Sequence, residues 1–186
     1  MSVLALDISG LPQRWISYED AISYHAKQLV AWSLGDVVAK FRGGIQKNGT
    51  KSYLETPSII AVKSNNKISR RSLRVPLTNK TLFLRDRNVC AYCGGNFHSH
   101  ELSRDHVFPK FLGGEDEWTN VVTACKSCNH KKGCKTLKQS GVELLYVPYA
   151  PNHYEHLILQ NRKVLADQME YLLSGVPKHS RILDSL

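Results

Sequence analysis

The stretch CAYCGGNFHSHELSRDHVFPKFLGGEDEWTNVVTACKSCNHKKG, residues 90–133, holds two cysteine pairs, Cys90/Cys93 and Cys125/Cys128, each spaced C-x-x-C. That spacing makes a knuckle, in which two thiolates reach one tetrahedral ion at about 2.3 Å. Gly94-Gly95 follows the first knuckle, and glycine there permits the φ > 0 turn that aims backbone N–H groups at the thiolates. The 31 residues between the pairs exceed the 15 to 20 of a simple four-cysteine ribbon, so something folded has to fill the gap. A zinc ion held by Cys90, Cys93, Cys125 and Cys128 has no open coordination position. It is expected to be structural, adding folding free energy without activating water. Cys134 lies outside both pairs and reads as a spare thiol.

Any catalysis must therefore come from groups other than that zinc. Between the knuckles lie Arg104-Asp105-His106-Val107-Phe108-Pro109-Lys110, then Gly113-Gly114 and Asn120-Val121-Val122, and Asn129 directly follows the last ligand. Hydrolysis of a phosphodiester needs a base for water, a divalent cation to stabilise the phosphorane and the leaving oxygen, and fixed geometry. Imidazole exchanges a proton near neutrality, which suits His106 as the base. Asp105 offers a hard oxygen ligand and Asn129 a neutral carbonyl oxygen. A strand over Arg104–Val107 would send Asp105 and His106 to opposite faces, so both serve one site only at a strand end or an irregularity. Pro109 and Gly113-Gly114 then interrupt pairing, Asn120–Ala124 reads as a return strand, and a short helix from about Ser127 carries Asn129 towards Asp105.

From Leu82 to Thr136, about 55 of 186 residues, the chain resembles the HNH endonuclease family, in particular its zinc-bound bacterial members. The shared elements are C-x-x-C (Cys90/Cys93), D-H-x-x-P (Asp105-His106 with Pro109), G-G (Gly113-Gly114), N-x-V (Asn120 with Val122), C-x-x-C-N (Cys125/Cys128-Asn129) and K-G (Lys132-Gly133). Weaker similarity to small stand-alone bacterial members runs back through Pro57-Ser58-Ile59-Ile60 to Val3. The resemblance implies a ββα-metal core in which His106 is the general base and Asp105 and Asn129 bind a catalytic Mg2+ or Mn2+. Asn120, the middle motif residue, would hold the active-site loop through hydrogen bonds. Whether Asn129 or its neighbour His130 faces the metal stays open.

Working outward, 42% hydrophobic and 22% charged residues describe a globular chain, and a net charge of +9 favours a polyanionic partner. The run Lys63–Arg87 carries eight cations (Lys63, Lys67, Arg70, Arg71, Arg74, Lys80, Arg85, Arg87) against Asp86 alone, a net of 8 − 1 = +7. Arg70, Arg71 and Arg74, with Arg104, Lys110, Lys126, Lys131 and Lys132 around the motif, are the expected DNA contacts. Upstream, Val3–Leu6 reads as a buried strand. Ser17 with Asp20 caps a helix through Ala21, Ile22, His25, Ala26 and Leu29, Gly43-Gly44 and Asn48-Gly49 mark turns, and Ser58–Val62 is a second strand. Downstream, Asn152 with Glu155 opens a helix to about Leu173, with Leu157, Leu165, Met169 and Leu172 on one face.

The expected fold class is α+β: an N-terminal α/β unit with a basic connector over 1–80, a zinc-stapled nuclease core over 81–140 and a C-terminal helical extension over 141–186. No apolar run reaches the roughly 20 residues of a membrane span, and the start lacks a secretory leader, so a reducing cytoplasm is expected, where cysteines bind metal rather than form disulfides. The expected activity is metal-dependent DNA endonuclease, with a non-catalytic zinc-knuckle DNA-binding module as the alternative. The oligomeric state is not legible.

Overall fold

The computed structural model describes residues 2–45, 47, 49–63, 74–161, 163–178 and 180–183. Arg70 and Arg71 lie outside them. The strands are β1 (Val3–Leu6), β2 (Pro12–Ile16), β3 (Val30–Ile45), β4 (Lys51–Val62), β5 (Leu102–His106) and β6 (Val121–Cys125). The helices are α1 (Tyr18–Ala26), α2 (Asn79–Arg85), α3 (Lys126–Lys132), α4 (Leu137–Ser140), α5 (His153–Gln160) and α6 (Ala166–Leu173). They form an α+β chain of two compact units, Met1–Arg74 with His153–Leu186, and Val75–Asn152. Among the described residues no helix is long and apolar enough to cross a membrane.

In the first unit the sheet runs β2-β1-β4-β3, with β1 antiparallel to β2 and parallel to β4. All four residues of β1 are buried because helices cover both faces, which is why Val3–Leu6 reads as a continuous apolar run. Val3 and Ala5 pack with Ile16, Ile60 and Ala21 of α1. Leu4 and Leu6 pack with Ile59, Ala61, Leu157 and Ile158 of α5 and Leu172 of α6. Ser17 caps α1 as expected, its hydroxyl accepting from the Asp20 N–H at 3.0 Å.

Two expectations change here. Gly43-Gly44 lie inside β3, where the register with β4 shifts between Arg42 and Ile45, so these glycines serve a strand irregularity and not a turn. The stretch expected as one helix to Leu173 is two. Asn161 Oδ1 accepts from the Lys163 N–H at 3.2 Å, offering the backbone an alternative to the helical ladder. Gln168 Oε1 then accepts from the Leu165 N–H at 3.1 Å and starts α6. Helical spacing concealed the break, since Leu157 and Leu172 enter the same core.

In the second unit β5 and β6 pair antiparallel from Leu102↔Cys125 to His106↔Val121, and α3 follows β6 without a loop. Leu82 and Phe83 of α2 pack on Leu102 and Val121. Arg85, expected among the surface cations, is 1% exposed. Its guanidinium bonds both oxygens of buried Asp86 at 2.8 and 3.0 Å and the carbonyls of Trp118, Val121 and Tyr149, each at 2.8 Å. Asp86 Oδ2 also accepts from the Thr123 N–H at 2.9 Å, fixing β6. A buried cation with this many acceptors is a structural tie, unavailable to phosphate.

Candidate functional site

The four knuckle cysteines converge although 31 residues separate the pairs, and their sulfurs lie within 4.8 Å of one another. Sulfurs 2.3 Å from a tetrahedral ion stand about 3.8 Å apart, so a small contraction seats zinc. Local backbone shapes the cradle: the Cys90 N–H bonds the Gly95 carbonyl at 2.9 Å, and Gly94 takes φ +72°. Cys125 caps α3, its sulfur accepting from the Cys128 N–H at 3.4 Å. Burial opposes ionisation of Cys90, but backbone N–H groups of Cys93, Cys125 and Tyr92 hold its thiol below the ordinary value. Burial and the neighbouring thiols push Cys128 up. A dication at the centre relieves that crowding. Cys134 is exposed and outside the cluster.

Beside the staple lies a cavity of about 220 Å³ lined by Arg104, Asp105, His106, Pro109, Lys110, Phe111, Asn129, Lys132, Gly133 and Cys134. Asp105 and His106 are strand neighbours, yet both line it because His106 is the last residue of β5. Asn129 lines it as well, while His130 is exposed and outside the lining. The Asn129 Nδ2 donates to Ser103 Oγ at 2.8 Å and to the Arg104 carbonyl at 3.4 Å, which fixes the amide and leaves Oδ1 as its ligand atom.

The loop from Val107 to Asn120 is closed by Asn120. Its Oδ1 accepts from the Phe108 N–H at 2.8 Å, and its Nδ2 donates to the Phe108 and Glu115 carbonyls at 3.0 and 2.9 Å. Gly114 is required there, because a Cβ would sit 1.9 Å from the Phe108 carbonyl oxygen. This closure brings back a residue that the sequence reading missed. Asp116 Oδ1 lies 2.9 Å from His106 Nε2, and Arg104 holds the same carboxylate at 2.8 and 2.6 Å. The Arg104 guanidinium keeps the Asp116 carboxyl below its ordinary value, with His106 assisting. A carboxylate can only accept, so Nε2 carries the proton and Nδ1 is the basic nitrogen.

Residues 90–145 match the family described as HNH endonuclease. Over this segment the chain is similar to the HNH endonuclease family. No curated protein matches the chain. The HNH segment departs from expectation at one cation. Lys132, expected at the DNA surface, is 1% exposed and donates to Asp105 Oδ1 at 3.0 Å and to the His106 carbonyl at 2.8 Å. Tyr92 donates its hydroxyl to the other oxygen, Asp105 Oδ2. Burial and that carboxylate push the Tyr92 hydroxyl well above its ordinary value, so it stays protonated.

Asp105 therefore enters the HNH cavity with its carboxyl group oriented by two donors, and half of its roughly four lone-pair sites are engaged. Among the described residues, no three His, Cys, Asp or Glu besides the four cysteines bring their ligand atoms together. One carboxylate and one amide oxygen suit Mg2+, which keeps waters and takes substrate phosphates. Lys110, Lys126 and Lys131 are exposed, and so is Arg74 in the first unit. Arg104 is held by Asp116 and by Asn79 Oδ1 at 3.1 Å, so its guanidinium is already engaged by an acid.

Proposed function

We propose that this chain is a metal-dependent endonuclease that hydrolyses DNA phosphodiester bonds, with His106 as general base. The observation that carries this reading is the contact of Asp116 with His106, which lines a cavity together with Arg104, Lys110 and Lys132 inside the HNH segment. Asp116 holds the imidazole and stabilises its protonated form. His106 Nδ1 takes a proton from the attacking water, whose oxygen forms the new bond to phosphorus as the bond to the leaving oxygen breaks. Asp105 and Asn129 would hold a Mg2+ or Mn2+ ion there, and such an ion would supply stabilisation of the negative charge that develops on the phosphate and the leaving oxygen. Asn120 keeps the loop closed. Cys90, Cys93, Cys125 and Cys128 bind a structural zinc ion. Lys110, Lys126 and Lys131 meet phosphates, as do Arg70, Arg71 and Arg74.

Supercoiled plasmid incubated with the zinc-loaded protein and Mg2+ or Mn2+ tests the reading. Nicking is expected with either ion, and His106→Ala should lower the rate at least about 100-fold while duplex affinity stays within a few-fold. One contact favours the rival reading of a non-catalytic zinc-knuckle DNA-binding module: Lys132 already engages the carboxylate that a catalytic cation needs. Tight duplex binding without cleavage under either ion would select that rival.

A further inference from the structure

The β3–β4 hairpin is longer than its sheet requires. β1 pairs with β4 only at Ile59–Ala61, and β3 is the edge strand. Beyond that, pairing from Ala39↔Thr56 to Ile45↔Lys51 has no third strand among the described residues. Among the described residues, none of 39–55 enters a core cluster. A free two-stranded ribbon is marginal in water, so its retention calls for a partner.

Register decides what each face carries. Directly opposed residues share a face: Lys40 with Glu55, Arg42 with Tyr53, and Ile45 with Lys51. One face therefore holds three cations, an aromatic ring, the aliphatic Ile45 and a single acid. Phe41 opposes Leu54 on the other face. Lys40, Arg42, Lys51 and Tyr53 are all exposed. Lys40 Nζ lies 2.7 Å from Glu55 Oε1 and 4.9 Å from the centre of the Tyr53 ring, so the acid and the ring align the first cation. Paired strands are about 4.8 Å apart, and a two-stranded ribbon enters the roughly 12 Å major groove of B-DNA.

We propose that the β3–β4 ribbon is a second DNA-binding element, laying its Lys40–Arg42–Lys51 face along the duplex backbone in the major groove. The proposal rests on the reading of the chain as a DNA nuclease and adds a surface outside the HNH segment. The occupant is fixed by charge: three cations against one acid complement a polyanion and repel a second copy of the same face.

The test is duplex binding by the full-length, zinc-loaded His106→Ala protein, chosen because loss of the base is expected to slow cleavage at least about 100-fold while leaving affinity nearly intact. Each phosphate contact contributes about 0.9 to the slope of log K against log salt. Adding Lys40→Gln, Arg42→Gln and Lys51→Gln should flatten the slope by up to about 2.7, so that a rise from about 50 to 200 mM salt costs up to about 40-fold less affinity than in the parent. Glu55→Gln, which frees Lys40 and leaves the cations in place, should steepen the slope. Unchanged slopes in both variants overturn the proposal, as does a change of oligomeric state at unchanged DNA affinity, which would make the ribbon an edge for a second copy. A parent that does not bind DNA overturns it together with the nuclease reading. If binding follows these slopes but His106→Ala still cuts, only the assignment of the base fails.

Discussion

Asp116 reaches His106 only because the intervening loop doubles back, and its charge tests how far the imidazole depends on it. Asp116→Asn keeps the shape and removes the anion that fixes the Nε2 proton. We expect kcat to fall at least about 10-fold with KM unchanged, since outer partners of a functional histidine typically contribute 10- to 100-fold. Steady-state cleavage rates of the variant measure this, and a rate within two-fold of the parent would leave Asp116 a loop ion pair with Arg104. The cysteines, Asp105, His106, Asn120 and Asn129 were legible in the sequence because each belongs to a short motif with its own spacing. Asp116 was not, since nothing local distinguishes it from Glu115 and Glu117. Lys132 was misplaced for a related reason. A lysine in the run His130-Lys131-Lys132 looks solvated, and only helical phase turns it inward onto Asp105.

Two elements of the second unit respond separately to perturbation. Adding a Cβ at Gly114 drives it into a backbone oxygen, so Gly114→Ala should destabilise the loop by roughly 1–3 kcal/mol, as overpacking does elsewhere. Hydrogen exchange should then accelerate at the Phe108 and Gly114 amides, while β6 keeps its protection. Zinc removal acts on the other element. One zinc per chain is expected, and a chelator or Cys125→Ser should release β5, β6 and α3 together, because Cys125 ends one strand and caps the helix. Folded, protected β5–β6 amides after complete zinc loss would show that packing alone holds them. The positions of β1, the end of β4 and β6 were legible from apolar runs, whereas β2, with the sequence PQRWI, carries no such run and was not read as a strand. The break between α5 and α6 and the length of β3 were not, because side-chain capping and tertiary pairing set them.

At the scale of the whole molecule, buried histidines make the stability of the first unit depend on pH. Burial lowers the affinity of His25, His153 and His156 for a proton, with His153 adding to the effect on His156. His25 Nε2 and His153 Nε2 are buried without a partner among the described residues. The unfolded chain binds protons at these sites near the ordinary value of about 6.5, and the folded chain only at lower pH. Stability is therefore complete above that value and declines as pH falls through it towards the lowered folded values. Denaturant titrations at pH 7.5 and 5.5 should show the loss, and replacing His153 with Gln should reduce it. An identical midpoint at both pH values would assign these rings to solvent.

The two-part composition of the first unit has a consequence for the order of events during synthesis. Its strands come from Met1–Arg74 and the helices that cover one sheet face come from His153–Leu186, with the metal-binding unit encoded between them. A ribosome finishes the cysteine staple while Leu4, Leu6, Ile59 and Ala61 still wait for Leu157 and Leu172. Zinc capture can thus precede closure of the sheet. In the cell, a stalled or truncated chain is expected to be a loaded metal module tethered to a sticky, half-covered sheet, the species that chaperones and proteases would recognise first.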